Sequence, residues 1–332
     1  MKLLTKLSGE ILYVLVYSLI YLVRALPYRI AIGIGRFFGI LAWISLPLHR
    51  RISQMQIHHA LEGVNPWMMT LKVFMHQGDI FMDSVRFAFM KDADLKKRIL
   101  IEGREHIESA LASERGVMMI TGHLNWEILG HIPRVLGFTF SIMGDIIKNP
   151  KIQSIVEDIR SRYGFTLLPP KGGMMSLITD ELLSGRTIGI VIDQRGKREN
   201  KVFCNVFGMP APTNPAPALM ALRGDALIQP VSAIKKGDTY LFRFEKTIDS
   251  RDFGDDYKQV ETLNDCWKSS AVKTLTQLMQ SWISTYVKRC PQQYFWLHSR
   301  WLRRSDMKRL IRSGGDFTDS VRIQKEHYLN EG

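Results

Sequence analysis

Two kinds of apolar pattern divide the chain. Up to residue 48 the apolar positions form long runs. ILYVLVYSLIYLV at 11–23 carries no charge, FFGILAWISLPL follows at 37–48, and Arg24, Arg29 and Arg36 stand between them. RRISQMQIHHALEG (50–63) has the spacing of an amphipathic helix that ends at Gly63, before an Asn65-Pro66 turn, and residues 67–90 predict another helix. In that helix His76 and Asp79 read as a solvated face. His58 and His59 are adjacent, so on a helix they point about 100° apart and make a poor metal clamp.

From residue 100 the pattern changes. Short apolar runs at 117–121, 140–144, 165–169, 187–193, 226–234 and 239–245 alternate with helical stretches near 104–113, 124–137, 149–163, 172–184 and 214–223. This alternation predicts an α/β fold: a layered, mostly parallel sheet flanked by helices. Lys235-Lys236-Gly237-Asp238 predicts a hairpin between the last two strands, and a long helix over 262–289 closes the unit. The expected organisation is an apolar-basic segment at 1–48, a helical bridge at 49–99, the α/β domain at 100–312 and a polar, poorly ordered tail at 313–332.

The charge of this 332-residue chain sharpens the picture. The net charge of +13 is concentrated in two places. In residues 1–60, Lys2, Lys6, Arg24, Arg29, Arg36, Arg50 and Arg51 face Glu10 alone. In residues 286–312, Lys288, Arg289, Arg300, Arg303, Arg304, Lys308, Arg309 and Arg312 face Asp306 alone. Such an excess suits nucleic acid or anionic lipid. The apolar setting of the first block favours lipid, and the aromatics lie in apolar runs rather than as stacking platforms between cations, which argues against nucleic acid. Neither apolar run reaches the roughly 20 residues of a spanning helix. Arginines bordering an apolar, Tyr- and Trp-bearing helix fit a segment in the membrane interface. No small-residue cleavage site follows Val23, so a signal peptide is disfavoured. A hairpin packed on the protein's own core is the competing arrangement, and whether the segment lies flat or spans once stays open.

The three cysteines, Cys204, Cys266 and Cys290, are too few and too scattered for a disulfide scaffold or a zinc ribbon. No Gly-x-Ser-x-Gly elbow is present, and Gly33, Gly35 and Gly39 lack the strand–turn–helix setting of a dinucleotide site. The informative segment is VMMITGHLNWEILG (117–130). A buried strand ends at Thr121, Gly122 allows a tight turn, and His123 stands at the strand end, where open α/β sheets build their sites. Glu127 follows four residues later. If both are helical they share a face, and a carboxylate can orient the imidazole as a general base. A capping His and a surface Glu would give the same spacing. Asp193 and Gln194 end another strand, as site polarity or as a buried hydrogen-bonding pair. Lys171-Gly172-Gly173 precedes a helix whose amides could meet a phosphate, or is a plain loop. Thr213 is placed to cap the helix after Pro215. Trp296 and Trp301 read as packing, and the arginine-rich run after them as a lipid or carrier-protein contact.

Taken in order, Gly-His…Asn-Trp-Glu, Lys-Asn-Pro at 148–150, Asp-Gln at 193–194, Phe-Gly-Met-Pro-Ala at 207–211 and Trp-Leu-His-x-Arg-Trp at 296–301 make a series. By it the chain resembles the bacterial lipid A biosynthesis acyltransferases, the late lauroyl/myristoyl transferases of the lysophospholipid acyltransferase superfamily. The likeness runs from the N-terminal block to Arg304. It implies transfer of a fatty acyl chain from an acyl carrier protein or acyl-CoA thioester to a hydroxyl of a glycolipid or related phospholipid acceptor. The expected place is the cytoplasmic face of a bacterial inner membrane, and no metal or redox cofactor is called for. His123 would be the base and Glu127 its partner, with Asn125, Lys148, Lys171, Asp193, Gln194 and Arg300 on the substrates. Two departures stand out. The family has four residues between His and acid where this chain has Leu124, Asn125 and Trp126. It also often has an arginine before Lys-Asn-Pro, where this chain has Gly144, Asp145, Ile146 and Ile147. A catalytically impaired lipid-binding or accessory homologue, or an acyltransferase acting on a different lipid, is therefore the alternative.

Overall fold

The computed structural model describes residues 2–143, 149–168, 173–196 and 201–330. Four helices lead the chain: α1 (Lys2–Ala25), α2 (Tyr28–Ser45), α3 (Pro47–Ala60) and α4 (Pro66–Ala88). Pro27 breaks α1 from α2. Asn65 caps α4, its side chain accepting from the amides of Trp67 and Met68, with Pro66 at the first position, where a missing N–H costs nothing. The α/β part then runs α5 (Asp92–Arg98), β1 (Ile99–Glu102), α6 (Arg104–Ala112), β2 (Val117–Thr121), α7 (Trp126–Leu129), α8 (Ile132–Leu136), β3 (Ser141–Met143), α9 (Pro150–Ser161), β4 (Thr166–Leu168), α10 (Met174–Leu183) and β5 (Thr187–Val191). It continues with β6 (Val202–Val206), β7 (Met209–Thr213), α11 (Ala216–Arg223), β8 (Leu227–Lys236), β9 (Thr239–Phe244), β10 (Ile248–Asp249), α12 (Ser270–Arg289), α13 (Arg304–Ser313) and α14 (Phe317–Asn330).

The main sheet has the order β1-β9-β8-β2-β5-β3-β4, with β10 added against β8. The β8–β2–β5–β3–β4 run is parallel, and β8–β9 is the expected hairpin. All five residues of β2 are buried. Met118 and Ile120 enter the core shared with α11 and α12, while Val117 and Met119 enter the core shared with α6, α7 and α8. Burial on both faces is why VMMIT reads as an unbroken apolar run.

Several elements depart from the sequence expectations. β1 and the β6–β7 ribbon, which pairs Val202 with Thr213, were not expected as strands. Thr213 closes β7 rather than capping α11; its hydroxyl donates to the Ala211 carbonyl, and Asn214 accepts from the Ala216 amide. The stretch expected as a polar tail carries α14, with Phe317 and Val321 buried in the core. His76 and Asp79, expected on a solvated face, are buried: His76 meets Asn125 of the α/β part, and Asp79 meets Arg36 of a second helix.

That second helix is α2. A Cβ on Gly35 would lie 2.6 Å from the Gly78 carbonyl oxygen, and one on Gly39 only 2.4 Å from that of Phe74. Glycines four residues apart thus let the α2 and α4 backbones touch, a use of small residues typical of close helix pairs. The opposite face of α2 is bare: Phe37, Phe38, Leu41 and Ile44 are exposed. By length and composition α2 is apolar enough to cross a membrane. Arg36, half exposed, donates two hydrogen bonds to Asp79, at 2.9 and 3.0 Å.

The glycine contact makes a direct expectation. Gly39→Val drives a side chain into the α4 backbone and should cost about 1–3 kcal/mol, the usual penalty of overpacking. Gly33, with nothing within 4 Å of an added Cβ, should accept alanine with no loss. Thermal unfolding of the detergent-solubilised variants separates the two.

Candidate active site

The site begins with strand register. Thr121 of β2 stands opposite Val191 of β5 in a parallel pair. Two residues beyond each lie His123 and Asp193, so both leave the sheet at the same height. The Asp193 carboxylate grips His123 twice: Oδ2 accepts from the backbone amide at 2.9 Å, and Oδ1 lies 2.6 Å from Nδ1. A carboxylate accepts, so Nδ1 carries the proton and Nε2 is the basic nitrogen. Gly122 makes the approach possible, since a Cβ there would meet Asp193 Oδ2 at 3.3 Å and Ile283 at 3.2 Å.

Asp193 is 1% exposed at its side chain and His123 16%. Burial by itself would lower the histidine pKa. The charge and hydrogen bond of Asp193, with a smaller push from Glu127, outweigh it and hold the imidazole above its ordinary value. Burial opposes ionisation of Asp193 too, yet the His123 contacts hold that carboxyl well below its usual range.

The segment after α12 roofs the pair. Leu124 bridges to Tyr294, and the Phe295 amide donates to the His123 carbonyl at 2.9 Å. Trp126, at 4.8 Å between ring centroids, and His298, at 5.4 Å, flank the imidazole. Burial pushes His298 down to about 4, so it is neutral at pH 7. Its Nδ1 lies 2.7 Å from the Phe295 carbonyl and therefore donates.

His123 opens onto a cavity of about 540 Å³. Its wall is mainly apolar, with Met119, Leu129, Ile132, Phe140, Phe165 and Met220 among the lining side chains. Glu127, Arg160, Gln194 and Asn214 are polar groups that also line it. Glu127 does not orient the imidazole. It accepts from Arg160 of α9 at 2.8 Å, and that pair is three-quarters buried. The reason is local. Asn125 adopts a left-handed conformation with φ of 54°, so α7 starts only at Trp126 and His123 and Glu127 share no helical face.

The other expected substrate residues separate. Gln194 is exposed on the cavity wall. Asp193 is turned to His123 rather than to a substrate. Asn125 is 2% exposed and bonded within the protein, to His76, the Ala233 carbonyl and Gln293. Arg300, expected at lipid or carrier protein, is 2% exposed. It donates to the Pro212 carbonyl at 2.8 Å, Thr213 Oγ1 at 2.6 Å and Gln280 Oε1 at 3.1 Å, and Gln280 holds the Ile192 carbonyl just before Asp193. Lys148 and Lys171 lie outside the described residues. Arg160, Tyr294 and His298 were not singled out from the sequence as parts of the site. Only His298, in the Trp-Leu-His-x-Arg-Trp motif, had a signal there.

Residues 4–303 match the family described as bacterial lipid A biosynthesis acyltransferase. The chain belongs to this family. Among curated proteins it is similar to the lipid A biosynthesis palmitoleoyltransferase of Escherichia coli (strain K12), 23% identical over 84% of this chain and 87% of that one. It is equally similar, by the same measures, to the lipid A biosynthesis acyltransferase of Shigella flexneri. A Haemophilus influenzae lipid A biosynthesis acyltransferase is 23% identical over 68% of this chain and 66% of its own length. The protein is an acyltransferase.

In this acyltransferase the shortened His-x-x-x-Glu spacing does not set the imidazole, because the carboxylate comes from Asp193. Replacing Asp193 by asparagine removes the charge that counters burial. The His123 pKa should then fall from above to below about 6.5, the ordinary histidine value. NMR titration of the imidazole in the full chain measures it, and a value unchanged by Asp193→Asn would assign the shift to another group.

Proposed function

We propose that the protein transfers a fatty acyl chain from an acyl thioester, carried by acyl carrier protein, to a hydroxyl of a lipid A-type glycolipid at the cytoplasmic face of the inner membrane. One observation carries the reading: a histidine held by a buried aspartate opens onto a mainly apolar cavity. The cavity suits an acyl chain. The imidazole suits a hydroxyl that must lose its proton.

Each step uses groups already placed. His123 Nε2 takes the acceptor hydroxyl proton as the oxygen attacks the thioester carbonyl carbon, and Asp193 stabilises the imidazolium that forms. Negative charge develops on the carbonyl oxygen. The Arg160 guanidinium, fixed by Glu127, is the cation at the cavity wall that can meet it. The C–S bond then breaks, and the thiolate leaves with the proton returned from His123. The ester oxygen now carries the acyl group, and the protein ends as it began.

His123→Ala should lower turnover about 10²–10⁴-fold, the usual share of positioned proton transfer. Arg160→Ala should also lower kcat, by about 10²–10³-fold if it holds the oxyanion. Glu127→Gln should cost less than either, since it removes the partner of the cation and not the cation. The assay is mass spectrometry of lipid A-type acceptors incubated with acyl carrier protein thioesters, where each product gains one acyl chain. Product on phospholipid alone would move the acceptor assignment. Full activity in His123→Ala would remove the base.

The seat on the membrane is proposed from α2. Its bare face presents Phe37, Phe38, Leu41 and Ile44. At its end Arg50 lies over the Trp43 ring, 4.7 Å from the centroid, and Trp67 packs edge-on to that ring at 4.6 Å. Indoles beside an arginine suit the headgroup level. Each apolar side chain buried in lipid contributes about 1.5–3 kcal/mol. Phe37→Asp with Leu41→Asp should therefore shift the protein from membrane to supernatant in high salt. These positions face away from α4, so the fold should survive, and retention of the double variant on membranes would place the anchor elsewhere.

A further inference from the structure

Behind the His123 turn lies a buried polar chain that no step above uses. His76 of α4 is 7% exposed, and its Nε2 lies 2.7 Å from Asn125 Oδ1. The Asn125 amide nitrogen donates to the Ala233 carbonyl at 2.8 Å and to Gln293 Oε1 at 2.7 Å. Its oxygen is therefore the acceptor, and His76 must donate from Nε2. Burial pushes His76 down to about 4, so the ring is neutral at pH 7 and one proton is available for this bond. Gln293 in turn bonds both the amide and the carbonyl of Lys235. The Lys235 ammonium pairs with Asp83 and lies 4.0 Å from Asp79, which Arg36 of α2 also holds. None of His76, Asp79, Asp83, Lys235 or Gln293 is among the described residues lining the cavity.

The chain ends on the residue that shapes the site. Asn125 stands between His123 and Glu127 in the left-handed region, where asparagine is tolerated and most side chains are strained. Its three side-chain hydrogen bonds fix the turn from behind. In front, the same turn delivers the His123 amide and ring to Asp193.

We propose that His76 is a positioning residue: through Asn125 it sets the turn that presents His123 to Asp193, and it does so from the helix onto which α2 is packed. His76 lies two residues from Gly78, where α4 touches the α2 backbone. The inference rests on His123 being that base, so its test includes a readout that does not depend on activity.

The full chain in detergent micelles is compared with His76→Ala, His76→Gln and Asn125→Gly. The groups facing the His123 ring are Asp193 after β5, Glu127 on α7 with its Arg160 partner on α9, and His298 after α12. His76→Ala leaves all of them in place. It should nevertheless bring the His123 pKa down toward its ordinary value, as the grip of Asp193 loosens, and should lower kcat by about 10²-fold with KM for the thioester little changed. Asn125→Gly keeps the left-handed backbone and removes the amide, so it should behave like His76→Ala even if that variant folds poorly. His76→Gln, whose amide can still donate, should restore most of both readouts. In a His123→Ala background, His76→Ala should cost nothing further, whereas a general loss of structure would lower the residual rate again. An unchanged His123 pKa in both His76→Ala and Asn125→Gly, or an equal fall in rate in the two backgrounds, would overturn the proposal. Full activity of His123→Ala removes the base assignment alone, because the pKa readout still decides the positioning.

Discussion

The pairing of Thr121 with Val191 is the constraint on which the site depends. Parallel strands in register leave a sheet at one level, and the residues just beyond them meet across a gap that short side chains can close. A shift of one residue would send His123 or Asp193 to the other side of its strand, because side chains alternate. Both faces of β2 are buried, so the register is fixed by two cores at once. The geometry of the His123–Asp193 pair is thus held by the same packing that holds the sheet.

Around that pair, three buried charges among the described residues have partners. Asp193 accepts from a backbone amide and an imidazole. Arg300 is surrounded by a carbonyl, a hydroxyl and an amide oxygen. Asp83 accepts from the Tyr240 hydroxyl at 2.6 Å and meets Lys235. Buried ion pairs contribute little net stability, since desolvation offsets much of the attraction. They impose orientation instead. Removing one partner leaves an uncompensated charge, so each arrangement tolerates few alternatives.

The N-terminal helices belong to this arrangement too. α2 turns a bare apolar face outward and a glycine-lined face inward, and its half-exposed Arg36 reaches Asp79 of α4. Of the expected alternatives, packing on the protein's own core is seen at the α2–α4 contact, and it leaves the apolar side of α2 uncovered. The basic excess counted in this block is not all unpaired, since the half-exposed Arg36 pairs with the buried Asp79.

Much was legible in the sequence. Alternating apolar runs gave the α/β class and most strands, because burial on both faces leaves a local trace. His123 was legible from its place after VMMIT, and the ordered motifs pointed to the acyltransferase family. What the sequence could not decide was the carboxylate. Glu127 is near in sequence, but a left-handed Asn125 starts the helix too late for the spacing to act. Asp193 lies 70 positions away and becomes a neighbour only when β2 and β5 pair. The same holds for His76, Asp79 and Arg300. A polar residue on a helix or after a strand looks solvated until another element covers it. Local pattern records which side chains avoid water, whereas the pairing of buried polar groups is decided by contacts between distant segments.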